Sequence, residues 1–328
     1  MAGFVYTQIL LSCVRLNLFN LLKDGPLNLA DLKKGCGLDT VALKKLLDAA
    51  VSIHLLEIRS QSRYGLGTLG APMVGNTALS AMIEHHTVLY EDLRDPLSLL
   101  SGDMGVKKLE KFWPYVSTDL DDQESVKDKN HVKSYSDLMS ASLPLVADQV
   151  VDAYDFSQHI CLLDVGGGQG TFLKRVFLSA PQLKRKLFDL PGVAKLAQEG
   201  FSLTTDHQDI DVYGGDFFQD PLPQGADLIT LIRVIFDHDD ERVKILLRAI
   251  FNALPAGGKL LIAEPMADTP DHPAMGHAYF GFYLLAMGRG RPRTIEEISS
   301  LVIDAGFKSI QVLPCSMPIN AQVLLASR

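Results

Sequence analysis

Apolar and polar positions change their rhythm along the chain and mark out three stretches. The first is helical. Tyr6, Ile9, Leu10, Cys13, Val14 and Leu18 recur at the spacing of one buried helix face. Asn28 stands where an N-cap belongs, ahead of a second helix that runs out near Gly35 and Gly37. Asp39-Thr40 opens a third helix, Val41 to Ser52, whose apolar positions are Val41, Leu43, Leu46, Leu47 and Ala50. Leu55-Leu56-Glu57-Ile58, a polar turn and Arg63-Tyr64-Gly65-Leu66 then read as a hairpin. Three helices and two strands are the order of a winged helix, predicted over residues 1–75. The middle stretch, 76–155, reads as helical and aromatic-rich around Phe112-Trp113-Pro114-Tyr115. In it the run from Thr118 to Lys133, highly charged and without apolar period, predicts a solvated loop, and a helix from Tyr135 to Tyr154 leads onward.

From residue 156 to 328 short apolar runs alternate with helical segments. Ile160 to Val165, Lys186 to Asp189, Ala226 to Val234 and Lys259 to Ala263 have the continuous apolar character of strands buried on both faces. Helices are predicted between and after them at Gly170–Ser179, Gly192–Glu199, Asp240–Leu254 and Thr294–Ala305. The alternation predicts an α/β fold with a parallel, doubly wound, Rossmann-like sheet.

Charge narrows the partners. The chain has 31 Lys plus Arg against 39 Asp plus Glu, a net charge of −8, which argues against a nucleic-acid-coating surface. A winged helix can bind DNA or mediate dimer contacts. Residues 1–75 carry eight basic and five acidic residues and no dense Lys/Arg row on the third helix, which favours dimer contacts. The longest uncharged apolar stretch, Ala278 to Gly288, is too short to cross a bilayer, and Met1-Ala2-Gly3-Phe4, without a basic segment ahead of an apolar run, predicts no signal peptide. Four scattered cysteines without a Cys-x-x-Cys pair suit reduced thiols and a cytoplasmic setting.

The chemistry concentrates where the first long strand turns into a helix: Asp164-Val165-Gly166-Gly167-Gly168-Gln169-Gly170-Thr171. Open α/β sheets bind ligands at such a switch point. A dinucleotide loop wants Gly-x-Gly-x-x-Gly or Ala, and reading from Gly166 or Gly168 puts Thr171 or Leu173 in the last place. What stands here is acid-x-Gly-x-Gly-x-Gly, formed by Asp164, Gly166, Gly168 and Gly170, the pattern of a loop for S-adenosylmethionine. Asp189 ends the next strand 19 residues past Gly170, where a carboxylate can accept both ribose hydroxyls. Asp216 and Phe217, in Gly215-Asp216-Phe217-Phe218 ahead of the Ala226–Val234 strand, offer an acceptor for the adenine amino group and a face for its ring. Arg233, at the end of the Ala226–Val234 strand, is a candidate partner for the cofactor's carboxylate. Adjacent residues seldom converge on one ion, so Asp237-His238-Asp239-Asp240 is not read as a metal site.

With these residues in view, the chain resembles the class I, S-adenosylmethionine-dependent O-methyltransferases of the winged-helix dimer type, the group of plant phenol and acetylserotonin methyltransferases. The resemblance runs over nearly the whole length. It rests on the glycine loop, Phe188-Asp189-Leu190-Pro191, Gly215-Asp216-Phe217, Arg233-Val234 and Ala263-Glu264-Pro265-Met266. Within the group, Gly3-Phe4-Val5-Tyr6, Tyr279 to Gly288 and Arg289-Gly290-Arg291-Pro292-Arg293-Thr294 are most similar to the bacterial demethylspheroidene (hydroxyneurosporene) O-methyltransferases. The resemblance implies methylation of a carotenoid's tertiary hydroxyl by an intertwined homodimer, with peripheral contact to photosynthetic membranes for substrate uptake. Members of that subgroup usually begin upstream of this Met1, which leaves room for a further N-terminal piece of the dimer contact. Met275, Tyr279, Phe280, Phe282, Tyr283, Met287, Met139, Phe112 and Trp113 are candidates for an apolar tunnel; a core-packing role fits them equally. The same resemblance places a general-base histidine just before the Asp of the turn after the Ala226–Val234 strand. Here that position is Phe236. His238 and His277 are the substitutes in reach, and the acids beside His238 would raise its pKa and favour its protonated form.

Overall fold

The computed structural model describes residues 2–112, 143–203, 209–272 and 274–328. They form two compact units, residues 2–91 and residues 92–112 with 143–328.

The first unit is built from α1 (Gly3–Arg15), α2 (Leu18–Leu21), α3 (Leu29–Cys36), α4 (Thr40–Ser52), a hairpin of β1 (Leu56–Arg59) and β2 (Arg63–Leu66), and most of α5 (Thr77–Asp92). Its helix starts are fixed by short polar side chains: Asn28 accepts the Asp31 N–H at 2.9 Å, and Asp39 accepts those of Val41 and Ala42. One apolar cluster, including Cys13, Leu18, Leu32, Leu43, Leu47 and Leu56, closes it. Phe4 and Tyr6 stay outside, 67% and 51% exposed, so the start of α1 presents aromatic surface that this unit does not cover.

The second unit carries α6 (Pro96–Ser101), α7 (Lys108–Phe112) and a helical run at 143–153, here α8. Strands and helices then alternate: β3 (Cys161–Val165), α9 (Thr171–Ser179), β4 (Lys184–Asp189), α10 (Pro191–Ser202), β5 (Ile210–Gly214), β6 (Leu228–Ile232), α11 (Asp240–Ala253) and β7 (Lys259–Glu264). After a π-helical turn at Met275–Phe280 come α12 (Gly281–Met287), α13 (Ile295–Asp304), β8 (Ser309–Leu313) and β9 (Gln322–Ser327). The seven strands lie in the order β5-β4-β3-β6-β7-β9-β8. The parallel core matches the sequence reading. The far edge differs, because β9 inserts antiparallel between β7 and β8.

Both faces of the sheet are buried. Leu163, Ile229 and Leu231 pack with α11 and α13 on one side; Leu162, Leu228 and Ile232 pack with α8, α9 and α10 on the other. That two-sided burial is why these strands read as continuous apolar runs. The chain leaves β3 toward β4 and β5, then returns to β6 on β3's other side, so the crevice beyond the carboxyl ends of β3 and β6 is the switch point.

Candidate active site

The glycine loop lies at that crevice, and its glycines do different things. Gly166, Gly168 and Gly170 all have positive φ, at 71°, 57° and 76°, a region that costs little only without a side chain. A Cβ on Gly166 would lie 2.8 Å from Val234 Cγ2, and one on Gly170 would lie 2.1 Å from the Phe201 ring. A Cβ on Gly168 would meet nothing within 4 Å. Two glycines therefore seat the loop against the protein, and the third keeps its outer side open.

The same open glycine donates its N–H to Asp189 Oδ2 at 2.8 Å, while Asp189 Oδ1 accepts the Leu190 N–H at 2.7 Å. Burial raises the Asp189 pKa, and the two backbone donors pull it back. Deeper in, Asp164 Oδ1 accepts the Thr230 hydroxyl at 2.7 Å, and Oδ2 is buried with no partner among the described residues. Burial pushes this carboxyl up to about 7, with Thr230 opposing and Asp189 adding to the rise. An unpartnered buried oxygen of this kind suits a cationic or N–H donor from a ligand.

Asp216 sits in the turn after β5, linked to Asp189 through a Gly215 N–H bond to the Asp189 carbonyl at 2.9 Å. Both its carboxylate oxygens are engaged within its own turn, by the Phe218 N–H and the Gln219 amide. Phe217 is half-buried and meets Phe218 and His238 edge-on. Thus Asp164, Gly168 and Asp189 share one hydrogen-bonded and electrostatic neighbourhood, and Asp216 and Phe217 flank it.

The turn after β6 holds the remaining candidates. Arg233 has φ 58°, unusual for a residue with a side chain. Its N–H donates to the Ala263 carbonyl at 2.8 Å, and its guanidinium lies 5.8 Å from the centre of the Phe236 ring. Phe236 is buried and packs edge-on against Phe280. His238 corrects the sequence reading. Its pKa falls to about 4, because burial dominates and Arg242, Arg289 and Arg293 outweigh the adjacent Asp239. The imidazole is therefore neutral, with Nδ1 buried and unpartnered among the described residues. His277 is exposed on the π-helical turn. On that turn Gly276 lies so close to Ala267 that a Cβ would sit 2.3 Å from its Cα. Of the apolar candidates, Tyr283, Met287 and Phe112 are buried, Met275, Tyr279 and Phe280 half-buried and Phe282 exposed; Trp113 and Met139 lie outside the described residues.

Three residues that matter here escaped the site reading: Thr230, Glu264 and Arg293. Glu264 Oε1 accepts the N–H groups of both Val234 and Ile235, at 2.9 and 2.8 Å. The Arg293 side chain, 1% exposed, donates to the Ile235 and His238 carbonyls and to Asp240. An acid or hydroxyl within an otherwise apolar strand was the available signal for the first two.

The sheet order, the acid-led glycine loop and the acid ending the second core strand define a class I S-adenosylmethionine-dependent methyltransferase, and the open Gly168 and unpartnered Asp164 oxygen fit that cofactor. Family comparison sharpens the class. Residues 110–308 match the O-methyltransferase domain and residues 1–83 the O-methyltransferase dimerisation domain. The chain belongs to the O-methyltransferase family and is an S-adenosylmethionine-dependent enzyme. It is 38% identical over 327 residues to demethylspheroidene O-methyltransferase of Cereibacter sphaeroides, covering all of this chain and 85% of that one. The Rhodobacter capsulatus enzyme of that name is also 38% identical, with 100% and 80% covered. Among solved structures, human N-acetylserotonin methyltransferase in complex with S-adenosylmethionine superposes with a TM-score of 0.76 at 25% identity, covering 100% and 95% of the two chains.

Proposed function

We propose that the chain methylates a hydroxyl of an acyclic, hydroxylated carotenoid, acting as a homodimer. The carrying observation is the full-length 38% identity to two demethylspheroidene O-methyltransferases. The apolar Phe236–Phe280 contact, at the position where the wider group is expected to hold its histidine, supports a hydrocarbon-rich acceptor over a phenol. A polyene is met at a membrane surface, so peripheral contact of a cytoplasmic enzyme with photosynthetic membranes follows; no described helix is long and apolar enough to span a membrane.

In this reading the bound cofactor supplies an electrophilic methyl group on a sulfonium. Asp189 holds the ribose hydroxyls, the Gly166–Gly170 loop lies along the nucleoside, and Asp164 receives the cationic amino-acid end. Arg233 faces the cofactor's carboxylate, and Asp216 and Phe217 border the adenine. Holding the acceptor oxygen in line with the methyl supplies roughly 7–11 kcal/mol of barrier lowering. Turnover assays with a 1-hydroxylated acyclic carotenoid, a small phenol and N-acetylserotonin test the choice. Methyl incorporation into the carotenoid alone is expected; preference for either aromatic substrate would overturn it.

A further inference from the structure

Glu264 ends β7 with its side chain turned under the neighbouring 233–237 turn. Its Oε1 is saturated by the backbone donors of Val234 and Ile235. Its Oε2 is buried and has no partner among the described residues. Leaving a charged oxygen in that condition is costly, so this atom gains most from binding a proton. The residue following Ile235 is Phe236, whose ring has no atom able to take one. Arg233 and Asp237, from the same turn, are the charged groups acting on Glu264, the first favouring and the second opposing its ionisation. On the other side its register partner is the uncharged Gln322 of β9.

We propose that Glu264 is the proton acceptor of methyl transfer in this enzyme, through Oε2. The inference rests on the O-methyltransferase assignment and not on the carotenoid. The acceptor oxygen forms its bond to the methyl carbon as the carbon–sulfur bond breaks. The sulfur keeps that electron pair, and the hydroxyl proton passes to Oε2, later leaving to solvent. Burial, and then Asp237, push the carboxyl up to about 8 against the pull of the two backbone donors and Arg233. A proton affinity near the working pH is what an efficient base requires. Because the ionised form is the active one, turnover rises with pH through this value.

Glu264→Gln keeps an oxygen for the two backbone donors and removes the base. With whichever hydroxyl substrate the wild type accepts, kcat is measured from about pH 6 to about pH 9.5, and Glu264→Gln is expected to lose about 10²–10⁴-fold together with the alkaline rise. Adenosylhomocysteine affinity and melting temperature should stay near wild type and report folding. Turnover within about threefold of wild type, or an unchanged pH midpoint, would overturn the proposal. Should Glu264→Gln fail to fold, Glu264→Asp decides: lower kcat at constant KM is expected, and unchanged kcat contradicts the role. Independently of turnover, infrared spectra of isotope-labelled, adenosylhomocysteine-bound wild type should show a protonated carboxyl that ionises near pH 8. A Glu264 carboxylate ionised throughout the same pH range would exclude it. Failure of the carotenoid alone, with Glu264-dependent turnover of another hydroxyl, would sink the substrate reading and leave this one standing.

Discussion

Arg293 and Asp240 form a buried-to-surface ion pair that fixes the site's most irregular turn. Two guanidinium nitrogens donate to Asp240 Oδ1 at 2.9 and 2.7 Å, and the same side chain reaches the Ile235 and His238 carbonyls at 2.8 and 2.7 Å. Asp240 opens α11, where its charge also complements the helix N-terminus. One arginine therefore ties the segment before α13 to the turn that carries Phe236 and His238. Removing it leaves two carbonyls without their charged donor.

Arg293→Met should accordingly cost on the order of 3 kcal/mol, since each lost charge-assisted bond is worth roughly 1.5–3 kcal/mol and Arg291 still pairs Asp240. Urea unfolding measures it. A midpoint equal to wild type would mean that the turn holds itself.

The glycine loop predicts a split between two similar substitutions. Gly170→Ala drives a methyl into the Phe201 ring and should destabilise the fold, lowering the melting temperature. Gly168→Ala meets open space, so only its left-handed backbone is strained, by about 1–2 kcal/mol. It should fold yet bind adenosylhomocysteine poorly, because in the proposed reading the loop lies along the nucleoside and the methyl would enter that space. Equal behaviour of the two variants, in melting and in titration, would contradict these assignments.

Stability should respond to pH in the direction opposite to that of a salt-bridged carboxylate. Asp164 has its pKa raised from 3.8 to about 7, and Glu264 from 4.5 to about 8. Between the ordinary and raised values the folded state binds more protons than the unfolded state, so stability falls as pH rises through that window. Asp164→Asn and Glu264→Gln should each flatten this decline in cofactor-free protein. His238 opposes it: its lowered pKa makes stability rise from about pH 4 to about 6.5. Melting curves of the variants against wild type separate the contributions, and a variant decline as steep as wild type would contradict the corresponding assignment.

Sequence pattern sufficed where the chemistry is contiguous. Asp164 to Gly170 spell out the loop within seven residues, and the apolar runs of β3, β6 and β7 announce a sheet covered on both faces. It failed where partners converge from afar. His238 looks acidic-flanked along the chain, yet its burial, joined by the charges of Arg242, Arg289 and Arg293, lowers its pKa instead. Glu264 and Thr230 acquire meaning only through Val234, Ile235 and Asp164 on neighbouring strands. The outer strand β8 has an exposed, mixed burial pattern that carries little period, and Met275–Phe280 forms a π-helical turn, a local geometry that no residue spacing announces.

In the proposed reading Asp189 grips the cofactor's ribose beside Gly168, and every other cofactor contact is placed relative to it. Isothermal titration of adenosylhomocysteine into wild type and Asp189→Ala tests this directly. Binding to wild type with loss of at least about 100-fold in affinity for the variant is predicted, the scale of two charge-assisted hydrogen bonds. Wild-type affinity in Asp189→Ala, with the fold intact by circular dichroism, would contradict it.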